Sequence, residues 1–142
     1  MKNSRVPIYV CLFMSLMLGI NSTPVFSCSC VVPPPPKTAL RQATAVFSGK
    51  VLSVKLKNDQ QLVKFEVDRI WKGVSDNTVL ITTGLGSGDC GYNFSKGEKY
   101  LVYAYGEKGG NSFSTSICTR TTTLANAQKD LAELGDGRPA PR

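Results

Sequence analysis

The chain is organised around one stretch near its start, Cys28-Ser29-Cys30-Val31-Val32-Pro33-Pro34-Pro35-Pro36. In this stretch, two cysteines separated by a single residue are followed closely by four consecutive prolines. Proline fixes its own backbone, has no N–H to donate and favours an extended conformation, so we expect these prolines to stay outside any helix or sheet. The stretch therefore predicts a rigid segment at the start of a folded domain, with a plain N-terminal spacer as the alternative.

The residues before this stretch have the three parts of a secretory signal peptide. These parts are a basic start, an apolar run too short for a stable membrane span, and a polar end: Met1–Arg5, Val6–Ile20 and Asn21–Ser27. We expect residues 1–27 to be removed, so that Cys28 begins an exported protein, secreted or periplasmic. The alternative is lipoprotein processing, because Val25-Phe26-Ser27-Cys28 is close to a lipoprotein box. A lipidated Cys28 would anchor the protein to a membrane and would have neither a free amine nor a free thiol.

Composition narrows the classes of function. The chain has no histidine, which removes the commonest general base and a common metal ligand, so we expect neither catalysis nor a cofactor. Its net charge of +7 comes from scattered basic residues and not from a continuous basic stripe, so we expect no nucleic-acid partner. Removal of residues 1–27 leaves about 115 residues, enough for one compact domain, which we expect to be monomeric.

Four cysteines remain after the predicted signal peptide: Cys28, Cys30, Cys90 and Cys118. An even number of cysteines in a small exported domain indicates disulfides. A bridge between Cys28 and Cys30 would close a strained ring, so we expect both to pair with the two later cysteines, in either of two ways. A zinc site of four thiolates is the alternative, although structural zinc sites usually separate paired cysteines by two to four residues.

Alternating apolar residues predict that the domain is mainly β. Strands over residues 45–56 and 62–71 are expected to form a hairpin around a turn at Asn58–Gln61, with Trp71 in the core or at its rim. Alternation along the first strand places two sets of residues on opposite faces: Val46, Leu52, Val54 and Leu56 on one, and Phe47, Val51 and Ser53 on the other. Three further strands are predicted over residues 78–83, 99–105 and 112–117, with a turn at Gly109-Gly110 between the last two.

Two short helices flank the predicted strands. The first covers residues 37–43. The second follows a cap at Thr123 and ends at Gly135, with three leucines on one stripe: Leu124, Leu131 and Leu134. The domain is expected to cover residues 28–135 and to end in a flexible tail, residues 136–142. Together these elements favour a five-stranded Greek-key barrel of the OB type with flanking short helices, and a five-stranded sandwich is the alternative.

Several short motifs occur along the chain in a distinctive order. They are Cys28-Ser29-Cys30-Val31, the strand Ala45–Val51, Cys90-Gly91-Tyr92, Tyr100-Leu101-Val102 and a last cysteine, Cys118. In this order they resemble the tissue inhibitors of metalloproteinases and, more broadly, the netrin-like modules built on an OB barrel. The resemblance covers about the whole chain after the predicted signal peptide.

The resemblance implies a pairing and a mechanism. The implied disulfides are Cys28–Cys90 and Cys30–Cys118. The free α-amine and the carbonyl oxygen of Cys28 are implied to chelate the catalytic zinc of a target metalloproteinase, so the metal belongs to the partner and not to this chain. The side chain of Ser29 is implied to enter the primed specificity pocket. The full set of implied contact residues is Cys28, Ser29, Cys30, Val31, Val32, Pro33, Pro34, Gly88 and Asp89.

The sequence departs from the family pattern at several points. Val32 is an extra residue relative to the usual Cys-Val-Pro-Pro, and Arg41 stands where a cysteine of a third disulfide is usual. The first hairpin turn is short, and we expect no second, cysteine-rich subdomain. These departures keep a second interpretation open, in which the chain is a netrin-like module that binds a protein partner outside the cell or in the cell envelope without inhibiting a protease.

Overall fold

The structure, a computed structural model, describes residues 27–86, 88–107 and 112–142. The strands in these ranges are β1 (Ala45–Lys57), β2 (Gln60–Lys72), β3 (Thr78–Thr83), β4 (Lys99–Gly106), β5 (Phe113–Ser114), β6 (Thr122–Thr123) and β7 (Arg138–Pro139). The helices are α1 (Pro36–Gln42), a single 3-10 turn (Leu124–Asn126) and α2 (Gln128–Leu134).

Five of the strands close into a ring. β1 pairs antiparallel with both β2 and β4, β2 pairs with β3, and β4 pairs with β5. A parallel pairing of β3 with β5 completes the ring, so the strand order is β1-β2-β3-β5-β4 and back to β1. β6 adds to β4, and β7 adds to β2. The prediction of a mainly β domain with two short helices is therefore confirmed.

β1 pairs with β2 along one edge and with β4 along the other. Residues 45–50 pair with β4, while the strand also pairs with β2 along most of its length. The register with β2 shifts at three places, the last between Val51 and Ser53, and a bulge of this kind turns the following side chains to the other face. Val54 therefore packs on the same apolar cluster as Val51, and the strict alternation predicted for this strand is wrong at Val54.

The predicted hairpin is confirmed, with a turn shorter than the one predicted. Only Asn58 and Asp59 form the turn, because β2 already begins at Gln60. Their φ angles are 50° and 56°. Positive φ at both central residues is the requirement of the two-residue turn that matches the twist of paired strands, and asparagine and aspartate tolerate it better than most residues.

Apolar clusters cover both sides of the sheet. The interior cluster takes buried side chains from all five strands of the ring and includes Phe65, whose ring meets those of Phe47 and Phe94 edge-on at 5.4 and 5.2 Å. The outer cluster packs both helices against β1 and β4. Its members from the second helical region are Ala127, Leu124, Leu131 and Leu134, which bears out the predicted leucine stripe.

Two expectations about the helix ends need correction. Pro36 is the first residue of α1, so the prediction that all four prolines stay outside a helix is wrong for Pro36. The first turn of a helix tolerates proline because its N–H groups have no intrahelical partner. Thr123 does precede the 3-10 turn, but its side chain makes no capping hydrogen bond. Gly135 ends α2 with a φ of 73°, as expected.

The end of the chain is attached to the sheet, where the sequence predicts a flexible tail. Arg138–Pro139 pair with β2, and the N–H of Ala140 donates to the carbonyl oxygen of Asp68 at 3.1 Å. These hydrogen bonds satisfy backbone groups that a free tail would leave to water.

The strand predicted over residues 112–117 is shorter in the structure and covers only Phe113–Ser114, since the following residues turn towards the disulfide of Cys118.

Some sequence predictions fall outside the described residues. They are residues 1–26 of the signal peptide and the turn at Gly109-Gly110. Within the described ranges, no helix is long and apolar enough to cross a membrane.

Candidate functional site

The rigid segment predicted at the start of the domain lies outside the sheet and is tied to it by two disulfides. Residues 28–34, called the N-terminal ridge below, have no regular secondary structure. Disulfides join Cys28 to Cys90 and Cys30 to Cys118, and the Cα atoms are 5.1 Å apart in each pair. These are the two pairs that the family resemblance implies. Such bonds are typical of proteins in oxidising compartments.

The two loops that hold the ridge are themselves joined. Cys90 lies within the loop between β3 and β4, and Cys118 lies in the turn between β5 and β6. The N–H of Ile117 donates to the carbonyl oxygen of Cys90 at 2.9 Å. The turn is closed by the Cys118 N–H, which donates to the Ser116 hydroxyl oxygen at 3.2 Å. The ridge is therefore fastened to a pair of connected loops and not to two independent ones.

Asp89 organises the loop before Cys90. Its carboxylate accepts backbone N–H bonds from Leu85 at 2.6 Å, Gly86 at 2.9 Å and Gly91 at 3.0 Å. These bonds, from Leu85 first and then from Gly91 and Gly86, hold the pKa of the exposed Asp89 carboxyl below its ordinary value. Gly91 is required here because a Cβ at this position would overlap the backbone of Gly84.

The contact role expected for Asp89 stays a prediction. Asp89 is exposed, and its carboxylate also holds its own loop through these three hydrogen bonds. Gly88 lies next to it, partly exposed, with a φ of 90°. The large apolar side chain that this loop exposes is Leu85, at 41%, and the Cys118 turn exposes Ile117, at 51%. Sequence reasoning missed both, although each lies close in sequence to a predicted disulfide cysteine.

The middle of the ridge is the most exposed apolar part of the described chain. Val31 is 88% exposed and Val32 is 87% exposed, although both are β-branched apolar residues. On either side of them the ridge is held down, by Cys30 through its disulfide and by Pro33 and Pro34 through partial burial. Two adjacent valines with this exposure, on a segment held by a disulfide, are candidates for contact with a partner.

An ion pair beneath the ridge supports it from inside the domain. The Arg120 guanidinium donates to the Asp130 carboxylate, with an Nε–Oδ2 distance of 2.7 Å, and also to the carbonyl oxygen of Pro34 at 3.3 Å. The Tyr103 hydroxyl donates to the same carboxylate at 2.8 Å. Arg120 thus links α2, β4 and the ridge. The sequence gives no local signal for this contact, because Arg120 and Pro34 are far apart along the chain.

The ion pair keeps Asp130 charged although it is buried. Burial alone would raise the pKa of the Asp130 carboxyl, but hydrogen bonds from Arg120 and Tyr103 and the charge of Arg120 outweigh it, so this pKa lies below its ordinary value. Its hydrogen bond to Asp130 raises the pKa of Arg120. Burial, and then the hydrogen bond to Asp130, raise the pKa of the Tyr103 hydroxyl.

The four cysteine sulfurs form one compact group. All four Sγ atoms lie within 4.8 Å of one another. Between the two disulfides, Cys28 Sγ is 3.9 Å from Cys30 Sγ and 3.8 Å from Cys118 Sγ. Among the described residues this is the only group of three or more cysteine or carboxylate side chains placed to share a metal ion.

Clefts in the described part of the chain lie away from the ridge. Clefts of about 310, 420 and 320 Å³ open elsewhere on the domain, and none of these three is lined by a ridge residue. The ridge is therefore a convex candidate site for a partner's cleft and not itself a pocket for a small molecule.

Comparison with protein-family models and with curated proteins gives no match to this chain.

Proposed function

We propose that this chain is an exported inhibitor of zinc metalloproteinases that acts through the backbone amine and carbonyl oxygen of Cys28. The observation that carries the proposal is the disulfide from Cys28 to Cys90 beside a ridge whose valines stand 88% and 87% exposed. A bidentate ligand must present both of its atoms in a fixed direction. The disulfide supplies this direction, since it restrains the residue that carries both atoms.

The chemistry of Cys28 suits zinc after removal of residues 1–27. The α-amine and the carbonyl oxygen of one residue form a five-membered ring with a metal ion. An α-amine titrates near pH 8, so zinc can compete with a proton for its lone pair at neutral pH. Coordination by these two atoms would displace the water that a catalytic zinc activates.

The rest of the ridge is arranged to bind without a large loss of conformational freedom. The disulfides, the partly buried prolines and the Arg120 hydrogen bond to Pro34 hold the ridge before it meets a partner. Preorganisation of this kind lowers the entropic cost of association. Val31 and Val32 favour an apolar partner surface, and Leu85 and Ile117 are further exposed apolar residues on the two loops that hold Cys90 and Cys118.

The strand order supports the finer assignment of the fold. In a Greek-key barrel of the OB type, five strands form a small, partly open barrel. The ring order β1-β2-β3-β5-β4, with a parallel β3–β5 pairing, agrees with this arrangement. We therefore assign the domain to the netrin-like OB barrels as part of the same proposal, with export through a signal peptide ending at Ser27.

The test compares two forms of the protein against a panel of purified zinc metalloproteinases. One form begins at Cys28, and the other keeps Ser27, which converts the Cys28 amine into an amide. We expect the first form to inhibit at least one protease and the second to be weaker by at least about 100-fold, because an amide nitrogen is not a ligand for zinc. Equal inhibition by the two forms would refute the chelation mechanism. Absence of inhibition by the Cys28 form across the panel would refute the proposed function.

One observation favours a second candidate function. Val32 is an extra residue within the ridge and is 87% exposed, so it changes the shape of the surface next to Cys28. On that ground the ridge would bind a protein partner without placing Cys28 on a metal. A variant that lacks Val32 separates the two: it should inhibit as well or better if chelation operates, whereas a non-inhibitory module would gain no inhibition from the deletion.

A further inference from the structure

The grouping of the four cysteine sulfurs has a geometry that the two disulfides do not require. In a tetrahedral site with Zn–S bonds of about 2.3 Å, neighbouring sulfurs lie about 3.8 Å apart. Two of the four sulfur–sulfur distances between the disulfides match this value, at 3.8 Å from Cys28 Sγ to Cys118 Sγ and 3.9 Å from Cys28 Sγ to Cys30 Sγ. All four Sγ atoms lie within 4.8 Å of one another.

We propose that the reduced form of this chain binds one zinc ion through the thiolates of Cys28, Cys30, Cys90 and Cys118. The short Cys-x-Cys spacing does not prevent this, because the fold, and not the spacing, brings the sulfurs together. The two bonded pairs must move apart, and each pair has one member on the ridge, which has no regular secondary structure. The same residues then close the domain in either of two ways, as two disulfides or as a zinc tetrathiolate.

The conversion is balanced by a dithiol reductant. Each disulfide takes two electrons and two protons from one dithiol, which becomes a disulfide itself, and yields two cysteine thiols. Zinc then replaces the thiol protons, so up to four protons are released as the ion binds. Because protons compete for the same sulfurs, the affinity for zinc rises with pH over the range in which thiols ionise.

This inference does not rest on the proposed inhibitory function. It uses the sulfur atoms of the chain to hold an ion of its own, whereas inhibition uses the amine and carbonyl oxygen of Cys28 on a partner's ion. Exposure of Cys30 and partial exposure of the other three residues leave the group open to a reductant.

The test uses the protein as its producing cells process it, with Cys11→Ser so that four cysteines remain in any form. The protein is reduced by a dithiol, freed of the reductant without oxygen, and titrated with Zn²⁺ and with Co²⁺ as a coloured substitute. We expect one equivalent of metal, the visible absorption of tetrahedral cobalt with four thiolates, and a β-type circular dichroism spectrum. The same protein with its disulfides intact is the control and should bind neither ion.

Single substitutions distinguish a built site from four incidental thiols. Cys118→Ser should weaken zinc binding by more than about 10–100-fold, the loss that is typical when a residue hydrogen-bonded to a metal ligand is removed. It should also change the cobalt spectrum to that of a site with three thiolates. Ser29→Ala, between two ligands, should leave zinc affinity unchanged. Equal affinity in denaturant, a cobalt spectrum with fewer than four thiolates, or metal bound to a chain without β structure would each overturn the proposal.

Discussion

Replacement of Arg120 by methionine tests the support beneath the ridge. Methionine keeps much of the length of the arginine side chain but removes the charge and all of its hydrogen bonds. Asp130, 5% exposed, would then keep the Tyr103 hydrogen bond but lose its counter-charge, and the carbonyl oxygen of Pro34 would lose its donor. Removal of one partner of a buried ion pair typically costs 3–5 kcal/mol of stability.

The structure places this variant at the lower end of that range. The Arg120 side chain is 22% exposed, so water can partly solvate the vacated site, and we expect a loss of about 3 kcal/mol. With a urea dependence of about 1.5 kcal/mol per molar, the midpoint of unfolding falls by about 2 M. Urea unfolding with the disulfides intact, followed by circular dichroism, measures this shift.

Matched variants separate the ion pair from a general effect of lost charge. Lys99→Met breaks the ion pair between Lys99 and Asp68, whose side chains are 50% and 37% exposed, respectively. This variant should lose no more than about 1 kcal/mol of stability. Arg120→Met combined with Asp130→Asn should recover part of the loss, because the buried charge is then gone. If the urea midpoint of Arg120→Met falls no further than that of Lys99→Met, the assignment of Arg120 as the support beneath the ridge is refuted.

Three further predictions follow from the same contacts. Cys118→Ser removes the bridge that closes 88 residues, and in the chain-entropy model it lowers the free energy of unfolding by about 4.6 kcal/mol, measurable by urea or thermal unfolding. An unchanged midpoint would contradict the disulfide. The pKa of Asp130 is lower in the folded chain than in the unfolded one, so its contribution to stability is present above the unfolded value of about 3.9 and is lost as pH falls through the folded value. Asp130→Asn should therefore make the free energy of unfolding fall less steeply as the pH is lowered. An unchanged dependence of stability on pH would argue against a lowered pKa for Asp130. Asp89→Ala frees the N–H groups of Leu85 and Gly86, whose hydrogen exchange should accelerate while that of β4 does not; equal exchange in both proteins would show that Asp89 does not hold its loop.

The parts of the fold that the sequence predicts are those with local or covalent signals. The hairpin of β1 and β2 follows from alternation on both sides of Asn58-Asp59, a pair suited to a tight turn. The pairing of Cys28 and Cys30 with the later cysteines follows from the strain of a bridge between them, and the resemblance supplies the choice of partner.

The parts that the sequence does not predict depend on contacts between distant residues. The bulge near Ser53 reverses the facing of Val54, and nothing in the alternation marks its position. The link from Arg120 to Pro34 spans a sequence separation of 86 residues, so no local pattern reports it. Likewise, the end of the chain is polar enough to be read as a tail, yet Arg138–Pro139 find partners on β2.

The candidate site shows the same division. Sequence reasoning finds Cys28, Val31 and Val32 because they stand beside cysteines at the start of the domain. It misses Leu85 and Ile117, whose exposure depends on how their loops are held. The hydrogen bonds that the Asp89 carboxylate accepts from the N–H groups of its own loop also have no signal in the sequence, while its assignment to partner contact stays a prediction.

The measurement that tests the central claim most directly is the position of the Cys28 amine in a complex with an inhibited zinc metalloproteinase. A crystal structure of that complex should place the Cys28 nitrogen about 2.0–2.1 Å from the catalytic zinc, with the Cys28 carbonyl oxygen as a second ligand. Absence of zinc-bound water would accompany this arrangement. A complex in which the protease keeps its zinc-bound water, with Cys28 away from the metal, would contradict the account.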